Sequence, residues 1–190
     1  MPFDSAGSVD DDTLIARFAA GDQSAARVLT LRILPGVLAL ARRMLNDPAE
    51  AEDVAQDAMM RLWKIAPDWQ PGRAKPSTWA HKVASNLCID RLRRRRTLPL
   101  DAAPEPIDTG PSADARLMAD DRAQALNQAM AALPERQRMA VHLRHIEGHT
   151  NMDIAEIMDI TVEAVEGLIG RGKRSLAETL RHKHKELGLP

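Results

Sequence analysis

Apolar residues recur at spacings of three and four along almost the whole chain, and the strict alternation of a half-buried strand is absent. The pattern predicts an all-α protein. Helices are expected at about 11–20, 22–45, 48–66 and 77–96, and after a break at about 114–132, 135–147, 150–158 and 162–185. Start signals mark several of them: Asp22, Asp47 followed by Pro48 and Glu50, Pro134, Thr150 and Thr161. Pro35 is expected to kink or split the second helix, because proline removes a backbone donor and crowds the preceding turn. Residues 97–114, TLPLDAAPEPIDTGPSAD, hold four prolines and four acids and too few large apolar residues to pack. They read as an extended linker. The expected architecture is therefore two small helical domains, residues 1–96 and 115–190, joined by a proline-rich acidic linker.

At 190 residues and 44% hydrophobic, the chain is long enough to bury two small cores. Its formal net charge of −1 hides strong segregation. Residues 46–58 carry five acids and no base, whereas 81–96 carry Lys82, Arg91, Arg93, Arg94, Arg95 and Arg96 against the single acid Asp90. Local fields of this kind, rather than net charge, select partners. Cys88 is the only cysteine, so one chain can form neither a disulfide nor a cysteine-ligated zinc site, and a reducing compartment is expected. The N-terminus is acidic without an apolar stretch, and no run is read as approaching the roughly 18 apolar residues of a membrane span. A cytoplasmic protein without membrane insertion is the expectation.

On the acidic helix, Ala51, Ala55, Ala58, Leu62 and Ile65 share one side as a core stripe, leaving Asp53, Gln56, Asp57, Met60 and Lys64 on the other. That second side is either a solvated face or a docking surface in which carboxylates and a glutamine flank an exposed methionine. Spacing alone does not choose between them.

The next helix pairs an apolar face, Ala80, Val83, Ala84, Leu87 and Cys88, with an opposite side bearing Lys82, Asn86, Ile89, Arg93 and Arg96. Arginine and lysine provide the salt-sensitive phosphate contribution to nucleic-acid affinity, and an asparagine amide can read a base edge. Upstream, PDWQPGRAKPSTW offers a loop with Trp69, Arg73, Lys75, Ser77, Thr78 and Trp79, where an aromatic face could stack on an unpaired base. With two Phe and no Tyr, however, the chain needs its tryptophans for packing, so Trp63 and Trp79 are expected in the core and Trp69 stays open.

The C-terminal pattern is more specific. Thr150 with Asp153 caps a short helix carrying Ile154, Ala155 and Ile157; DIT makes a turn; and Thr161 caps a second helix. This is the spacing of a helix-turn-helix. Val162, Val165, Leu168, Ile169 and Leu176 form the second helix's packed stripe, while Glu163, Gly167, Gly170, Arg171 and Arg174 project where a recognition helix meets the major groove.

Taken together, LNDPAEAEDVAQDAMMRLW, STWAHKVASNLCIDRLRRRR and ALPERQRMAVHLRHIEGHTNMDIAEIMDITVEAVEGLIGRGKRSL resemble, in order, three conserved segments of the extracytoplasmic-function (ECF) sigma factors, two-domain members of the sigma-70 family of bacterial RNA polymerase sigma subunits. The resemblance implies a sigma region 2 domain over 1–96 and a sigma region 4 domain over 115–190. It implies that Asp53, Gln56, Asp57 and Met60 bind core RNA polymerase through the β′ clamp, with a further contact to the β flap. It implies that Arg73, Lys75, Ser77, Thr78, Lys82, Asn86, Asp90, Arg93 and Arg94 recognise and melt the minus-ten element of promoter DNA by capturing a flipped base. Thr161, Glu163, Gly167, Gly170, Arg171 and Arg174 would bind the minus-35 element. The linker would cross the active-site cleft, and an anti-sigma factor would control the protein within a stress or envelope regulon. Glu166, Gly167, Gly170 and Gly172 depart from the residues common in the family's recognition helix, so minus-35 base specificity does not transfer.

His142, His145 and His149, with Glu147 nearby, have a spacing that invites a metal reading, but Gly148 is expected to end the helix, and the histidines read as solvated or DNA-facing. No metal and no cofactor is assigned. GLIGRGKRS lacks the spacing and preceding strand of a phosphate loop, and no nucleophile–base pair is visible, so an enzyme is not expected. The alternatives are a stand-alone helix-turn-helix regulator with a helical sensor or dimerisation domain, and a helical adaptor without a DNA role. A loop and basic ridge suited to unpaired DNA favour the sigma reading over the regulator.

Overall fold

A computed structural model describes residues 9–97 and 117–186. Among these residues there are eight α-helices and no strand: α1 (Asp11–Ala19), α2 (Gln23–Leu45), α3 (Pro48–Ile65), α4 (Pro76–Thr97), α5 (Leu117–Ala132), α6 (Glu135–His145), α7 (Asn151–Met158) and α8 (Val162–Glu186). A single 3-10 turn, Ala66–Asp68, follows α3. The chain divides into two compact units, one containing α1–α4 and the other α5, α6, the first part of α7 and α8. The expected linker from 98 onward, and residues 114–116 of the expected fifth helix, lie outside the described residues; Thr97 belongs to α4.

The first unit is organised by α2, whose Ala25, Leu29, Ile33, Val37, Leu40, Ala41, Met44 and Leu45 are buried. It packs on α1, α3 and α4. Burial of each large side chain contributes roughly 1.5–3 kcal/mol, so this stripe dominates the unit's stability. Asp22 caps the helix by accepting from the Ser24 and Ala25 amides, and Asn46 closes it in the left-handed conformation. Two expectations need correction. Pro35 does not split the helix, since α2 runs unbroken from Gln23 to Leu45 around it. And among the described residues one helix, α2, is long and apolar enough by length and composition to cross a membrane; its buried stripe packs on α1, α3 and α4.

The chain's acidic start is put to local use. Asp10 caps α1 by accepting from Thr13 N at 2.8 Å, and Asp11 meets the Arg32 guanidinium of α2 at 2.9 Å, which also donates to Val9 O. Asp47 caps α3 through Glu50 N at 3.0 Å. Val54 and Met59 join the buried stripe of α3 expected from Ala51, Ala55, Ala58 and Leu62, while Ile65 is half-buried.

In the second unit Ala129, Met130, Leu133, Met139, Ala140, Val141, Leu143, Ile154 and Val165 are buried. Leu176 of α8 packs on the Met130, Leu133 and Val141 cluster. Arg138 closes the end of α5 by donating to the Ala131 and Leu133 carbonyls. Thr150 and Asp153 form a reciprocal capping box: Thr150 N and Oγ1 donate to the Asp153 carboxylate, and Asp153 N donates to Thr150 Oγ1. Asp159, at φ 51°, turns the chain out of α7, and Thr161 Oγ1 accepts from Ala164 N to start α8.

Candidate nucleic-acid and partner interfaces

On α3, Asp53 and Gln56 are exposed, Asp57 is half-buried, and Met60 is 62% exposed. Single apolar side chains at a surface are ordinary, and Met152 and Leu31 are more open still, at 75% and 69%; what distinguishes Met60 is the acidic and amide side chains around it. Asp57 is paired: Arg61 grips both carboxylate oxygens at 3.0 Å from the next turn of the helix.

The basic stretch of α4 splits into two groups with different tasks. Arg95 turns back onto the start of α3, with Nη2 2.9 Å from Glu50 Oε2 and Nη1 donating to Leu45 O, and Arg91 donates to Glu50 O. These two arginines lock α4 against the corner between α2 and α3. Arg93, Arg94 and Arg96 are exposed, Arg93 lying 3.1 Å from Asp90, and Asn86 is exposed on the same helix. The buried face also differs from the expected one. Ala80, Ala84 and Cys88 are buried with His81 and Ser85, whereas Val83 and Leu87 are half-buried. His81 fits because its Nδ1 lies 2.8 Å from the Ser77 carbonyl. Burial, the largest cause, pushes the Cys88 thiol up to about 12.

The helix expected from residue 77 begins at Pro76, so the loop ends at Lys75. Ser77 and Thr78 belong to the first turn of α4, where Ser77 is half-buried and Thr78 is 1% exposed, so Thr78 offers no open hydroxyl. Arg73 and Lys75 are exposed, and Lys82 is half-buried. Trp79 and Trp63 are half-buried; Trp63 meets Phe18 edge-on with ring centres 4.8 Å apart. Trp69, left open by the sequence, crosses Trp79 at 83° with centres 6.4 Å apart and donates its Nε1–H to Asp12 at 3.0 Å. Sequence reading passed over Asp12 altogether. Between α3 and α4 an open cleft of ≈ 420 Å³ has Ile65, Trp79 and Val83 on its apolar side and Arg61, Lys64 and Asp68 around it.

Thr161, just before α8, and Glu163, Gly170, Arg171 and Arg174 on it are exposed, and Gly167 is half-buried. The Glu163 carboxyl is held below its ordinary range by its own backbone amide, with help from Thr161. The three glycines differ in kind. A Cβ at Gly170 would meet open space, and one at Gly167 would meet the Arg171 guanidinium at 3.2 Å. One at Gly172 would stand 2.7 Å from Val141 Cγ2, so Gly172 is buried in the contact between α6 and α8 rather than offered to DNA. The histidines also need correction: His142 is 2% exposed with Nε2 3.2 Å from Glu147 Oε1, which removes it from any DNA-facing set, while His145 is exposed and His149 half-buried.

Two helical units, one with an acidic face and a basic helix end and the other with a helix-turn-helix, define a DNA-associated transcription protein. Residues 29–97 match Sigma-70 region 2 and residues 123–176 match Sigma-70 region 4. The chain is 31% identical over 185 residues to the ECF RNA polymerase sigma factor SigE of Mycolicibacterium smegmatis, covering 93% of this chain and 71% of that protein. It is 28% identical to SigW of Bacillus subtilis, covering 88% of this chain and 95% of that one. Among solved structures, CnrH in complex with the cytosolic domain of CnrY shares 26% identity at a TM-score of 0.67, over 90% of this chain and 97% of that one. The sigma factor RpoE of Bartonella quintana, solved with the anti-sigma factor NepR, shares the fold at a TM-score of 0.63 with 24% identity, over 80% of this chain and 94% of that one. The chain belongs to the ECF sigma factors. It directs promoter-specific transcription initiation by core RNA polymerase, and the stand-alone regulator falls away.

Proposed function

We propose that the first unit binds core polymerase and opens the minus-ten element, and that the second contacts the minus-35 element. The observation that carries the first part is the α3 face, where Met60 stands 62% exposed among Asp53, Gln56 and Asp57. These residues grip a basic, apolar-flanked helix of the β′ clamp. The protein works in the cytoplasm, where the polymerase is, and it performs no reaction of its own.

Arg73 and Lys75 hold the phosphates of the opened strand, and the cleft between α3 and α4 receives an unpaired base against Ile65, Trp79 and Val83 with Arg61 and Lys64 near its phosphate. Asn86, Lys82, Asp90, Arg93 and Arg94 follow the same strand along α4, and Ser77 lies at the loop's edge. Thr78, being buried, keeps the first turn of α4 in place rather than touching a base. In the second unit Glu163 accepts from an exocyclic amino group, Arg171 and Arg174 bind guanine or phosphate, and Thr161, Gly167 and Gly170 allow close approach to the backbone. The β flap binds this unit as well. The residues between the two units cross the active-site cleft.

An anti-sigma factor holds the protein inactive by covering these surfaces, as the complex of the Bartonella quintana sigma factor with its anti-sigma factor suggests. The experiment for the site assignment is a comparison of Gln56→Ala/Asp57→Ala with Asn86→Ala. The first should lose core polymerase in a pull-down, and the second should keep it while losing permanganate reactivity in the minus-ten region. Normal binding by the first or normal melting by the second would reject that residue's role.

A further inference from the structure

We propose that Asp12 is a positioning residue for promoter opening, which fixes the minus-ten loop from the first helix of the chain. The inference rests on the reading of the loop before α4 as the one that captures the opened strand. Asp12 Oδ1 accepts from Trp69 Nε1 at 3.0 Å, and Asp12 Oδ2 accepts from Gly72 N at 3.1 Å. One carboxylate thus holds both ends of the turn 69–72, across 57 and 60 residues of sequence. Gly72 sits at φ 78°, the left-handed conformation of the turn, and the exposed Arg73 and Lys75 follow it directly.

The chemistry fits a dedicated contact. An ionised carboxylate is acceptor-only, and here each of its two oxygens takes one N–H donor. The indole N–H is donor-only and needs a partner where the ring packs, here edge-on against Trp79. The anchor is itself fixed, because Asp10 caps α1 and Asp11 ties it to Arg32 of α2. A negative charge beside a phosphate-binding loop opposes nucleic-acid affinity, so its presence is best accounted for by what it holds. A loop already in its bound shape loses less conformational freedom when the strand arrives.

The test uses the full chain assembled with core polymerase, and as probe a fluorescent promoter fragment, selected by run-off transcription with the wild-type protein and pre-melted over its minus-ten element. Asp12→Asn keeps the shape but replaces one acceptor with a donor, so one of the two N–H groups loses its partner. Trp69→Phe removes the other side of the first contact while keeping a ring against Trp79. Each variant should bind the pre-melted fragment about tenfold more weakly, the scale of one charge-assisted hydrogen bond. Affinity for core polymerase should stay at the wild-type value with only a modest fall in thermal midpoint, and the double variant should lose little beyond either single one. Wild-type affinity in both variants would overturn the proposal and leave the sigma assignment standing. So would a loss of core affinity parallel to the loss of strand binding, which marks a general folding role. If the wild-type holoenzyme shows no preference for the pre-melted over the duplex fragment, the loop reading itself fails and the role of Asp12 fails with it.

Discussion

Arg61 holds both oxygens of Asp57 at 3.0 Å, one turn along the acidic helix. The carboxylate assigned to polymerase binding is therefore paired within its own helix before any partner arrives. The pair is largely exposed, with side-chain exposures of 52% for Arg61 and 40% for Asp57, and such pairs contribute about 0.3–0.5 kcal/mol to a helix. Arg61→Ala should therefore barely change the unfolding midpoint. Asp57→Ala together with Gln56→Ala should weaken core polymerase binding at an equally unchanged midpoint. Surface plasmon resonance alongside thermal unfolding separates these quantities, and a large fall in midpoint with either change would place the pair in the fold instead.

The glycines of α8 supply opposite predictions from the same substitution. Gly170→Ala adds a methyl group to open space on an exposed helix and should stabilise the second unit by about 0.5–1 kcal/mol. Gly172→Ala drives a Cβ to 2.7 Å from Val141 Cγ2 and should destabilise it by about 1–3 kcal/mol, the usual range for overpacking. Denaturant unfolding of the two variants gives the signs directly, and equal signs would contradict the packing assigned to Gly172.

Cys88 is fully buried on α4, and its thiol is pushed up to about 12. Thiolate is the reactive species, so the native protein should not react with Ellman's reagent at neutral pH, and full reaction should appear only with unfolding. Rapid labelling of the folded protein would show that the helix opens locally.

Asp22 sets a pH dependence. Its carboxyl is held at about 2, first by the Ser24 hydroxyl and then by the Arg17 guanidinium. The folded value lies below the ordinary unfolded value of about 3.9, so the stabilisation is complete above that value and is lost as pH falls through about 2. Unfolding followed from pH 5 to pH 2 should show a decline that is shallower in Asp22→Ala. Identical slopes would remove Asp22 from the acid sensitivity of the cap.

What the sequence revealed was local. The Asp22 and Asp47 caps, the Thr150 and Asp153 box and the Thr161 start of α8 depend on residues two or three apart, and each was legible before the fold was known. What it hid was set by distant contacts. Arg91 and Arg95 look like their neighbours in an arginine run, yet they face a corner made by residues 41 to 50 positions earlier. Trp69 found its partner 57 residues upstream in an aspartate that reads only as part of an acidic end. His142 and Gly172 sit on helices with mixed faces, where composition does not indicate which side a neighbouring helix covers. The α3 face lay between these cases: spacing gave its outward residues, but not the Arg61 pairing.

Promoter specificity offers the most direct measurement of all. Run-off transcription with purified core polymerase on a promoter library should give discrete transcripts only when this protein is added, from start sites sharing spaced minus-35 and minus-ten elements. Core polymerase that neither retains the protein nor initiates from any template in its presence would contradict the assignment.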